Sequence, residues 1–556
     1  MHSPYLSFRL RGAVRSGVQS LMLCGTLGFS AQAQSINQLS AGNTGQLQDS
    51  GLGLPRPTTT TDDDLPAKPD TIPVRAHLLQ AEAGVLASST DQIPYWLQTN
   101  QFGIIPKTGP AGLLIGTAQS DYRYPQSPQR RKLDWGYGVQ VVGQGAAESR
   151  LLVAEAYGKV RVGVLELWAG RRKQVVGLAD SRLSSGSFIW SGNTLPIPRV
   201  ELAIPEYWPL GFTNGWVSVK GSFSHGWFGR GEYVRDSYLH QKAIYVRLGK
   251  PRSLFRVYGA FTHQAQWGGY ARFLERDPTS SFEGQLADSF VAYMNVVLPL
   301  KTDALKNRAK FTTFDQNRVG DHRGSAEVGL ELQLPHGSLF HYQQHFYDLG
   351  RKLYNFRNIE DGLYGLRYVS KRPRALLNEA VLELFNSGNQ GVYQFGRYLG
   401  GEPEQYFING QYPEGWSYQG RTIGTPLISQ TSDTNPDLPS IPFSGYTLDN
   451  QLISGRFGIN NYRVWALHTG LSGNLSRWWG YQTKVTFSRN YGTFPAAFPA
   501  NTNQVSGLVS VTRTLRGAAG STLLVSVGYD QGKLLRHPNQ VGAYVGWRKT
   551  WSALSR

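Results

Sequence analysis

Apolar and polar residues alternate with a period of two along most of the chain beyond residue 72. In segment 153–162 (VAEAYGKVRV), the residues from Ala154 to Val162 at even positions are Ala, Gly or Val, whereas the odd positions carry Glu, Tyr, Lys and Arg. Segments 325–333 (SAEVGLELQ) and 541–551 (VGAYVGWRKTW) follow the same rule. Successive side chains of a strand point to opposite faces, so the pattern predicts strands with one apolar and one polar face.

The number and length of these segments favour a barrel in a membrane. We count roughly 18 to 20 of them, many about 9 to 14 residues long, which suits tilted strands that cross a bilayer. No apolar run after residue 33 has the roughly 18 residues that a spanning helix needs. The sequence therefore predicts an all-β fold, a transmembrane antiparallel β-barrel of about 18 strands with lipid outside and water inside. A soluble multi-strand protein is the alternative that any single segment leaves open.

The N-terminus has the pattern of an export signal. Arg9, Arg11 and Arg15 precede a short apolar core at Val18–Phe29, and Ala-Gln-Ala at 31–33 offers a cleavage site. Residues 1–33 are therefore predicted to be a cleaved signal peptide, and the predicted location is the outer membrane.

Two further regions follow the predicted signal. Residues 34–71 include GLGLPRPTTTTDDDLPAKPD and have no periodic apolar positions, which predicts a disordered, low-complexity linker. Residues 72–556 are predicted to form the barrel, with 72–88 as a strand. Cys24 lies inside the signal, so the mature chain is expected to have no disulfide.

The net charge of +18 indicates acidic partners. Anionic polysaccharide and the phosphates of lipopolysaccharide fit an exported protein, whereas export argues against nucleic acid. Outer-membrane lipid is the other expected partner, and the protein is predicted to be a monomer.

Sequence motifs for catalysis are missing. The chain contains no G-x-S-x-G, H-E-x-x-H or G-x-x-x-x-G-K-[ST] motif, so neither an enzyme, a cofactor nor a metal is predicted. An outer-membrane hydrolase stays open as an alternative, with Ser224, His225 and Asp180 as a triad assembled in space. His341 and His345 would lie on one face of a strand about 13 Å apart, too far for a shared ion.

Aromatic rings mixed with polar and basic groups between strands suggest sugar binding. Indole and phenol rings stack on the C–H faces of sugars, and arginines hold carboxylates by charge-assisted hydrogen bonds. An aromatic girdle at the membrane interface, or packing between loops, explains each single ring equally well. The predicted polysaccharide-binding residues are Arg171, Arg172, Trp190, Asn193, Trp227, Gln266, Trp267, Tyr270, Trp416, Tyr418 and Arg421.

Several long motifs in order resemble the capsule-assembly Wzi family, in particular its branch in Bacteroidota. The resemblance extends over about residues 73–551. The matching segments are Ala169–Gly229 (AGRRKQVVGLADSRLSSGSF to HGWFG), Tyr238–Pro251 (YLHQKAIYVRLGKP), Phe261–Gly269 (FTHQAQWGG), Glu360–Leu366 (EDGLYGL), Gly415–Ile428 (GWSYQGRTIGTPLI) and Thr483–Phe494 (TKVTFSRNYGTF).

This resemblance implies an outer-membrane barrel that helps to assemble or retain capsular or exported polysaccharide, as a lectin and not as a catalyst. Gly177–Arg199 is then expected to be a folded loop or plug at the barrel mouth or in the lumen, with glycines that permit tight turns. A passive porin or transport channel is the alternative, and it requires an open lumen.

Overall fold

The computed structural model describes residues 75–123, 133–298, 311–348 and 356–555. The predicted signal peptide and linker lie outside these residues. Within them, eighteen strands form one antiparallel sheet, joined by the two-residue strand Tyr270–Ala271, which pairs with the eighth of them. In chain order the strands are β1 (Arg75–Ser88), β2 (Ala111–Ser120), β3 (Asp134–Gly145), β4 (Arg150–Val162), β5 (Leu165–Arg171), β6 (Arg199–Pro209), β7 (Val217–Arg230), β8 (Val234–Leu248), β9 (Phe255–Trp267), β10 (Asp321–Gln333), β11 (Gly337–Tyr347), β12 (Gly362–Ser370), β13 (Glu379–Asn386), β14 (Val464–Ser476), β15 (Trp479–Asn490), β16 (Asn503–Thr514), β17 (Ser521–Gly532) and β18 (Asn539–Ser555).

The sheet closes on itself through its first and last strands. β1 pairs with β2 on one side and with β18 on the other, in a register that sets Arg75 opposite Ser555 and Ser88 opposite Gly542. A closed ring leaves no strand edge exposed and satisfies the backbone amides without water, as a bilayer requires. The predicted all-β barrel of about 18 strands is confirmed.

The apolar face of the strands points outward. Val160, Val328 and Val485 are 41, 56 and 47 % exposed, and Trp547 and Trp551 of the last strand are also exposed. The opposite faces of the same strands carry buried polar groups inside the barrel. An outer wall of exposed valine, leucine and aromatic side chains is stable only against hydrocarbon, so the protein is an outer-membrane β-barrel.

One residue of the predicted apolar face lies elsewhere. Ala154 is fully buried because the register of β4 against β3 shifts there: Gln140 faces Glu155, whereas Val141 faces Val153. The extra residue is a β-bulge, which inverts the inside–outside alternation for the residues on one side of it. The prediction that Ala154 shares the lipid face with Val160 was therefore wrong.

The two ends of the barrel differ in the length of their connections. Turns such as 163–164, 334–336, 477–478 and 515–520 lie at the end where the chain terminates, and the long loops 89–110, 172–198 and 387–463 lie at the other, together with 268–298 and 311–320. Outer-membrane barrels have short periplasmic turns and longer extracellular loops. The loop end is therefore the extracellular mouth.

Residues 172–198, here called the plug segment, fold into the lumen. The backbone N–H of Leu178 donates a 2.6 Å hydrogen bond to Glu327 of β10, and the N–H of Phe188 donates to the side-chain oxygen of Gln344 on β11 at 3.0 Å. Such bonds join the segment to inward side chains on several strands. The prediction that Gly177–Arg199 is a folded loop or plug at the mouth or in the lumen is confirmed for residues 177–198, whereas Arg199 is the first residue of β6.

The plug segment is also fixed to β13 and β14. The hydroxyls of Ser184 and Ser185 each donate to the carboxylate of Glu383 on β13 at 2.6 Å. On β14, a ring nitrogen of His468 donates to the carbonyl of Leu183 at 2.7 Å. The segment begins after β5 and ends at β6, whereas β10 to β14 form a separate arc of the same ring. It therefore extends across the lumen from one arc to the other.

The interior of the mouth is an aromatic core. Phe188 of the plug segment stacks on Phe346 of β11, with ring centroids 3.8 Å apart and an interplanar angle of 12°. Phe407 and Trp416, from loop 387–463, are fully buried in the same cluster, and the indole N–H of Trp416 donates to the carbonyl of Ile189. The plug segment and the longest loop therefore fold as one unit.

One glycine shows why the plug segment needs flexible backbone. Gly192 has φ +81°, in the left-handed region, and a Cβ there would lie 2.8 Å from the ring of Phe102. Both the conformation and the close approach favour glycine at this position.

The described structure also contains three short α-helices: α1 (Tyr95–Gln98), α2 (Phe290–Val297) and α3 (Thr313–Asn317). Across the described ranges no helix is both long and apolar enough to cross a membrane. α1 packs inside the barrel, where the indole N–H of Trp96 donates to Thr486 of β15 at 3.0 Å. α2 packs against the outer wall.

Candidate functional site

A cleft lined by polar and apolar groups opens at the extracellular mouth. Four loops contribute to it: 89–110, the plug segment, 387–463 and 533–538. Its volume is about 560 Å³, including the open entrance. This mouth cleft is lined by Gln92, Ile93, Tyr95, Gln98, Thr99, Asn193, Arg421, Thr422, Pro426, Ile428, Ser429, Gln430, Asp433, Leu535, Arg536, His537 and Gln540.

Arg421 joins two of these loops beneath the cleft. Its guanidinium donates to the side-chain oxygen of Gln98 at 2.6 Å and to the carbonyl of Ile105 at 2.7 Å. Burial lowers the pKa of Arg421 to about 10, an effect that Asp433 opposes, so the group keeps its charge at neutral pH. Arg421 therefore places a positive charge under the floor of the cleft while it fixes the shape of the floor.

Asn193 fixes the plug segment to its neighbours. Its side-chain N–H donates to the carbonyl of Thr422 at 3.1 Å and to the hydroxyl of the same residue at 3.0 Å, and its oxygen accepts from the backbone N–H of Asn100. The amide thus links three of the four loops that form the cleft.

The rim of the cleft carries charges that remain accessible. Lys107 pairs with Asp433, and burial lowers the pKa of Lys107 in spite of this partner. His537 lies 2.5 Å from Asp91, and its hydrogen bond holds the pKa of Asp91 below its usual value. Arg536, on the same side, is exposed. Charged groups of both signs therefore surround a floor of amides and hydroxyls.

A second, smaller cavity of about 290 Å³ shares Tyr95, Ser429 and Leu535 with the mouth cleft. Its other walls include Thr486 and Ser488 of β15, and Gln504 and Ser506 of β16. The hydroxyl of Tyr95 and the side-chain oxygen of Gln504 are buried without a hydrogen-bond partner in the described structure. Such atoms are suited to bind the hydroxyl of a ligand or a water molecule.

Exposed aromatic rings form a second feature of the mouth. Tyr393–Gln394 pairs with Arg397–Tyr398 in a small hairpin, and the rings of Tyr393 and Tyr398 are 5.4 Å apart. Phe395 and Tyr398 are 78 and 66 % exposed. Residues 393–398 are here called the aromatic hairpin.

The backbone of the aromatic hairpin is fixed without help from its rings. Phe395 has φ +48°, an uncommon conformation for a bulky residue. Its N–H donates to the carboxylate of Glu360 at 2.6 Å, and Gln394 donates to the carbonyl of Phe356. The rings are therefore presented to solvent from a fixed backbone.

Four of the predicted binding residues lie in the core of the mouth. Trp190 and Trp416 are buried, with ring centroids 6.3 Å apart. Arg171 donates to the hydroxyl of Tyr418 at 3.0 Å, and Tyr418 is buried in the same cluster. Because neighbouring side chains cover these rings, their present role is to join the plug segment to loop 387–463.

The other predicted residues are dispersed. Arg172 pairs with Glu166 at 2.6 Å, and Gln266, facing the lumen, donates to Ser237. Tyr270 donates to Glu275 on the extracellular side.

Two predicted tryptophans lie on the outside of the barrel. Trp227 is exposed on the outer wall of β7, a position typical of an interfacial girdle. Trp267 is buried beneath α2, also on the outer wall.

Of the eleven predicted residues, the mouth cleft brings together Asn193 and Arg421. Sequence analysis missed the other residues that line the mouth cleft because they come from four loops that are distant in the chain. The aromatic hairpin could have been found from its motif YQFGRY, in which aromatic residues flank a glycine and an arginine.

The geometry contradicts the hydrolase triad. Ser224 and His225 are consecutive on β7, so Ser224 is buried on the inner face while His225 lies on the outer face beside Trp267. Asp180, in the plug segment, is 3.1 Å from Arg367. The sheet separates the proposed nucleophile from the proposed base.

No protein-family model matches the chain, and no curated protein matches it. Solved structures with a similar fold include Wzi, an outer-membrane protein involved in group 1 capsule assembly in Escherichia coli and described as a carbohydrate-binding β-barrel. It is 12 % identical, with 84 % of this chain and 83 % of that chain covered and a TM-score of 0.49. OccK5 (OpdH) of Pseudomonas aeruginosa is 9 % identical, with 86 and 98 % covered and a TM-score of 0.41. OmpT, an outer-membrane protein of Vibrio cholerae, is 8 % identical, with 87 and 99 % covered and a TM-score of 0.34.

Proposed function

We propose that this outer-membrane barrel binds capsular or exported polysaccharide at its extracellular mouth and helps to retain it on the cell surface, without catalysis. The observation that carries the proposal is the mouth cleft, whose floor of amides and hydroxyls and whose charged rim offer the groups that bind sugar hydroxyls and uronate carboxylates. The aromatic hairpin adds rings for stacking on sugar C–H faces.

Membership of the capsule-assembly Wzi family is part of this proposal. The segment with the longest resemblance, Ala169–Gly229, contains the whole plug segment, which supports a shared design of the mouth. The net charge of +18 favours an anionic polymer. The predicted signal peptide would deliver the chain for export, and a monomer suffices for this role.

The mechanism is multivalent. A polymer presents the same sugars many times, so contacts that are weak one by one add through effective concentration along the chain. A shallow cleft and a small hairpin are then enough for retention, and no deep pocket is needed.

The test uses the purified protein in detergent and isolated capsular polysaccharide, with binding measured by titration calorimetry. Arg536→Glu reverses an exposed charge on the rim of the cleft, and Lys533→Glu is the matched control, because it makes the same charge change in the same region outside the cleft. A single exposed ion pair contributes about 0.2–1 kcal/mol, so we expect Arg536→Glu to weaken binding by roughly 1.4- to fivefold. Lys533→Glu is expected to bind like the wild type. Equal losses in both variants, or no binding by the wild type, would contradict the proposal.

A passive porin is the second candidate. The polar inner wall favours it, for example Gln482, Lys484, Thr486 and Ser488 along β15. Conductance in planar bilayers distinguishes the two, because retention through the mouth cleft requires no ion current. A steady current of the size seen for open porins, together with no effect of deletion on capsule retention, would favour the channel.

A further inference from the structure

Strands β7 to β10 carry polar side chains on the part of the outer wall nearest the mouth. His240 and Lys242 lie on the outer face of β8, His263 on that of β9 and His322 on that of β10, in line with the exposed Ile244 of β8. His240 is fully buried, and His263 and His322 form a 2.9 Å hydrogen bond to each other. Together with His225 of β7, these residues are here called the histidine patch.

α2 covers the histidine patch from outside. The ring of Tyr293 lies 5.6 Å from that of His225 and 5.5 Å from that of Trp267. At its last turn, the carbonyl of Val297 accepts a hydrogen bond from the ammonium group of Lys242. The helix therefore covers the rings of the patch and accepts a hydrogen bond from Lys242.

The opposite side of α2 is apolar and exposed. Phe290 and Met294 are 76 and 42 % exposed, and Leu298, directly after the helix, is 56 % exposed. Their spacing of four residues places them in one stripe along the helix. One side of α2 thus contacts the polar histidine patch, and the other side exposes an apolar stripe. Such a helix is suited to a lipid environment and not to water.

Strand pairing gives the level of the helix relative to the membrane. Lys242, which binds the end of α2, lies opposite Phe223 of β7, and Tyr238 lies opposite Trp227. Phe223 and Trp227 are exposed on the outer wall. The helix therefore lies beside the upper part of the apolar band, and its stripe continues that band.

We propose that α2 is an interfacial helix embedded in the outer leaflet, whose stripe of Phe290, Met294 and Leu298 contacts lipid acyl chains. It replaces lipid over the histidine patch, which hydrocarbon could not solvate. The proposal does not depend on polysaccharide binding.

The test measures the environment of the stripe with a spin label. Cys24 is the only cysteine in the sequence, so a Cys24→Ser background allows one label at a time. Met294→Cys is labelled and the protein placed in nanodiscs of dioleoylphosphatidylcholine, where collisions with oxygen report lipid and collisions with a water-soluble nickel complex report water. Val328→Cys, on the lipid-facing wall, and Phe395→Cys, in the aromatic hairpin, are the matched controls; all three positions are exposed, so the fold is expected to persist.

The label at Met294 is expected to resemble that at Val328, with oxygen accessibility at least severalfold above the label at Phe395. Nickel accessibility equal to that at Phe395 would overturn the proposal. Spin–spin broadening that grows with protein density would also overturn it, because the stripe would then contact a second copy of this chain instead of lipid.

Discussion

Glu383 holds the plug segment in the lumen, and its removal is the sharpest test of that arrangement. The carboxylate, buried on β13, accepts hydrogen bonds from the hydroxyl of Ser184 at 2.6 Å and from the N–H and hydroxyl of Ser185 at 2.7 and 2.6 Å. The hydroxyl of Tyr342 is a fourth donor. Glu383→Ala leaves all four donors without this acceptor.

The magnitude follows from these contacts. A buried donor that loses its acceptor costs about 1–3 kcal/mol. Three of the four donors belong to the plug segment, whereas Tyr342 lies on β11 of the wall. The lower value for each of these three gives about 3 kcal/mol, because hydroxyl groups can rotate toward other acceptors. We therefore expect the population in which residues 183–186 leave the wall to rise by up to roughly 150-fold.

Hydrogen exchange measured by mass spectrometry on the peptide around Ser185 tests this expectation. The variant should exchange faster by up to about two orders of magnitude there, and its conductance in planar bilayers should show more frequent openings. Glu331→Ala is the matched control, since Glu331 also faces the lumen but binds Arg256 and Tyr258 on the neighbouring strand β9 and not the plug segment.

Unchanged exchange around Ser185 in a folded Glu383→Ala protein would refute the reasoning. The same acceleration in Glu331→Ala would also refute it, because the effect would then reflect a general loosening of the barrel.

Two further predictions concern pH and lipid contact. Burial raises the pKa of Asp361 to about 7, although the N–H groups of Asn389 and Gln390 donate to it. The folded state therefore holds a proton that the unfolded state releases above about pH 4, so the contribution of Asp361 to stability is greatest below about pH 4 and decreases by up to about 4 kcal/mol as the pH rises to about 7. The stability of the wild type relative to Asp361→Asn should therefore decrease between pH 4 and 7, which thermal unfolding of both proteins measures. A difference between the two that does not change with pH would contradict this prediction. Val485→Arg places a charge on the lipid face near the middle of β15 and should destabilise the folded barrel by about 2–4 kcal/mol, measured by reversible denaturation in vesicles. The control Val485→Leu should have nearly the stability of the wild type. Equal stability of the two variants would contradict a lipid-facing Val485.

The candidate site shows where prediction from sequence ended. Asn193 and Arg421 line the mouth cleft, as the mixture of polar and aromatic residues suggested, but Trp190 and Trp416 are core residues. A tryptophan beside glycines and asparagines has the same sequence signature whether its ring stacks on a ligand or on another ring. Packing between loops decided which, and no local pattern records that packing.

The barrel itself was predictable because its cause is local and repeated. Alternation with period two depends only on which face of a strand each side chain occupies, so Val160, Val328 and Val485 could be assigned to the lipid face one strand at a time. The bulge at Ala154 is the exception, since it depends on how β4 pairs with β3.

The sequence by itself thus determined the closed all-β wall and the presence of a folded stretch between β5 and β6; the signal peptide stays a prediction. Only the tertiary structure decided that this stretch crosses the lumen, that four distant loops meet in the mouth cleft, and that α2 lies on the outer wall over the histidine patch. The physical reason is that each residue of a barrel strand faces either lipid or the lumen, so its polarity depends only on its position in the strand. The position of a loop depends instead on the surfaces that the closed barrel brings next to it, which are distant in the sequence.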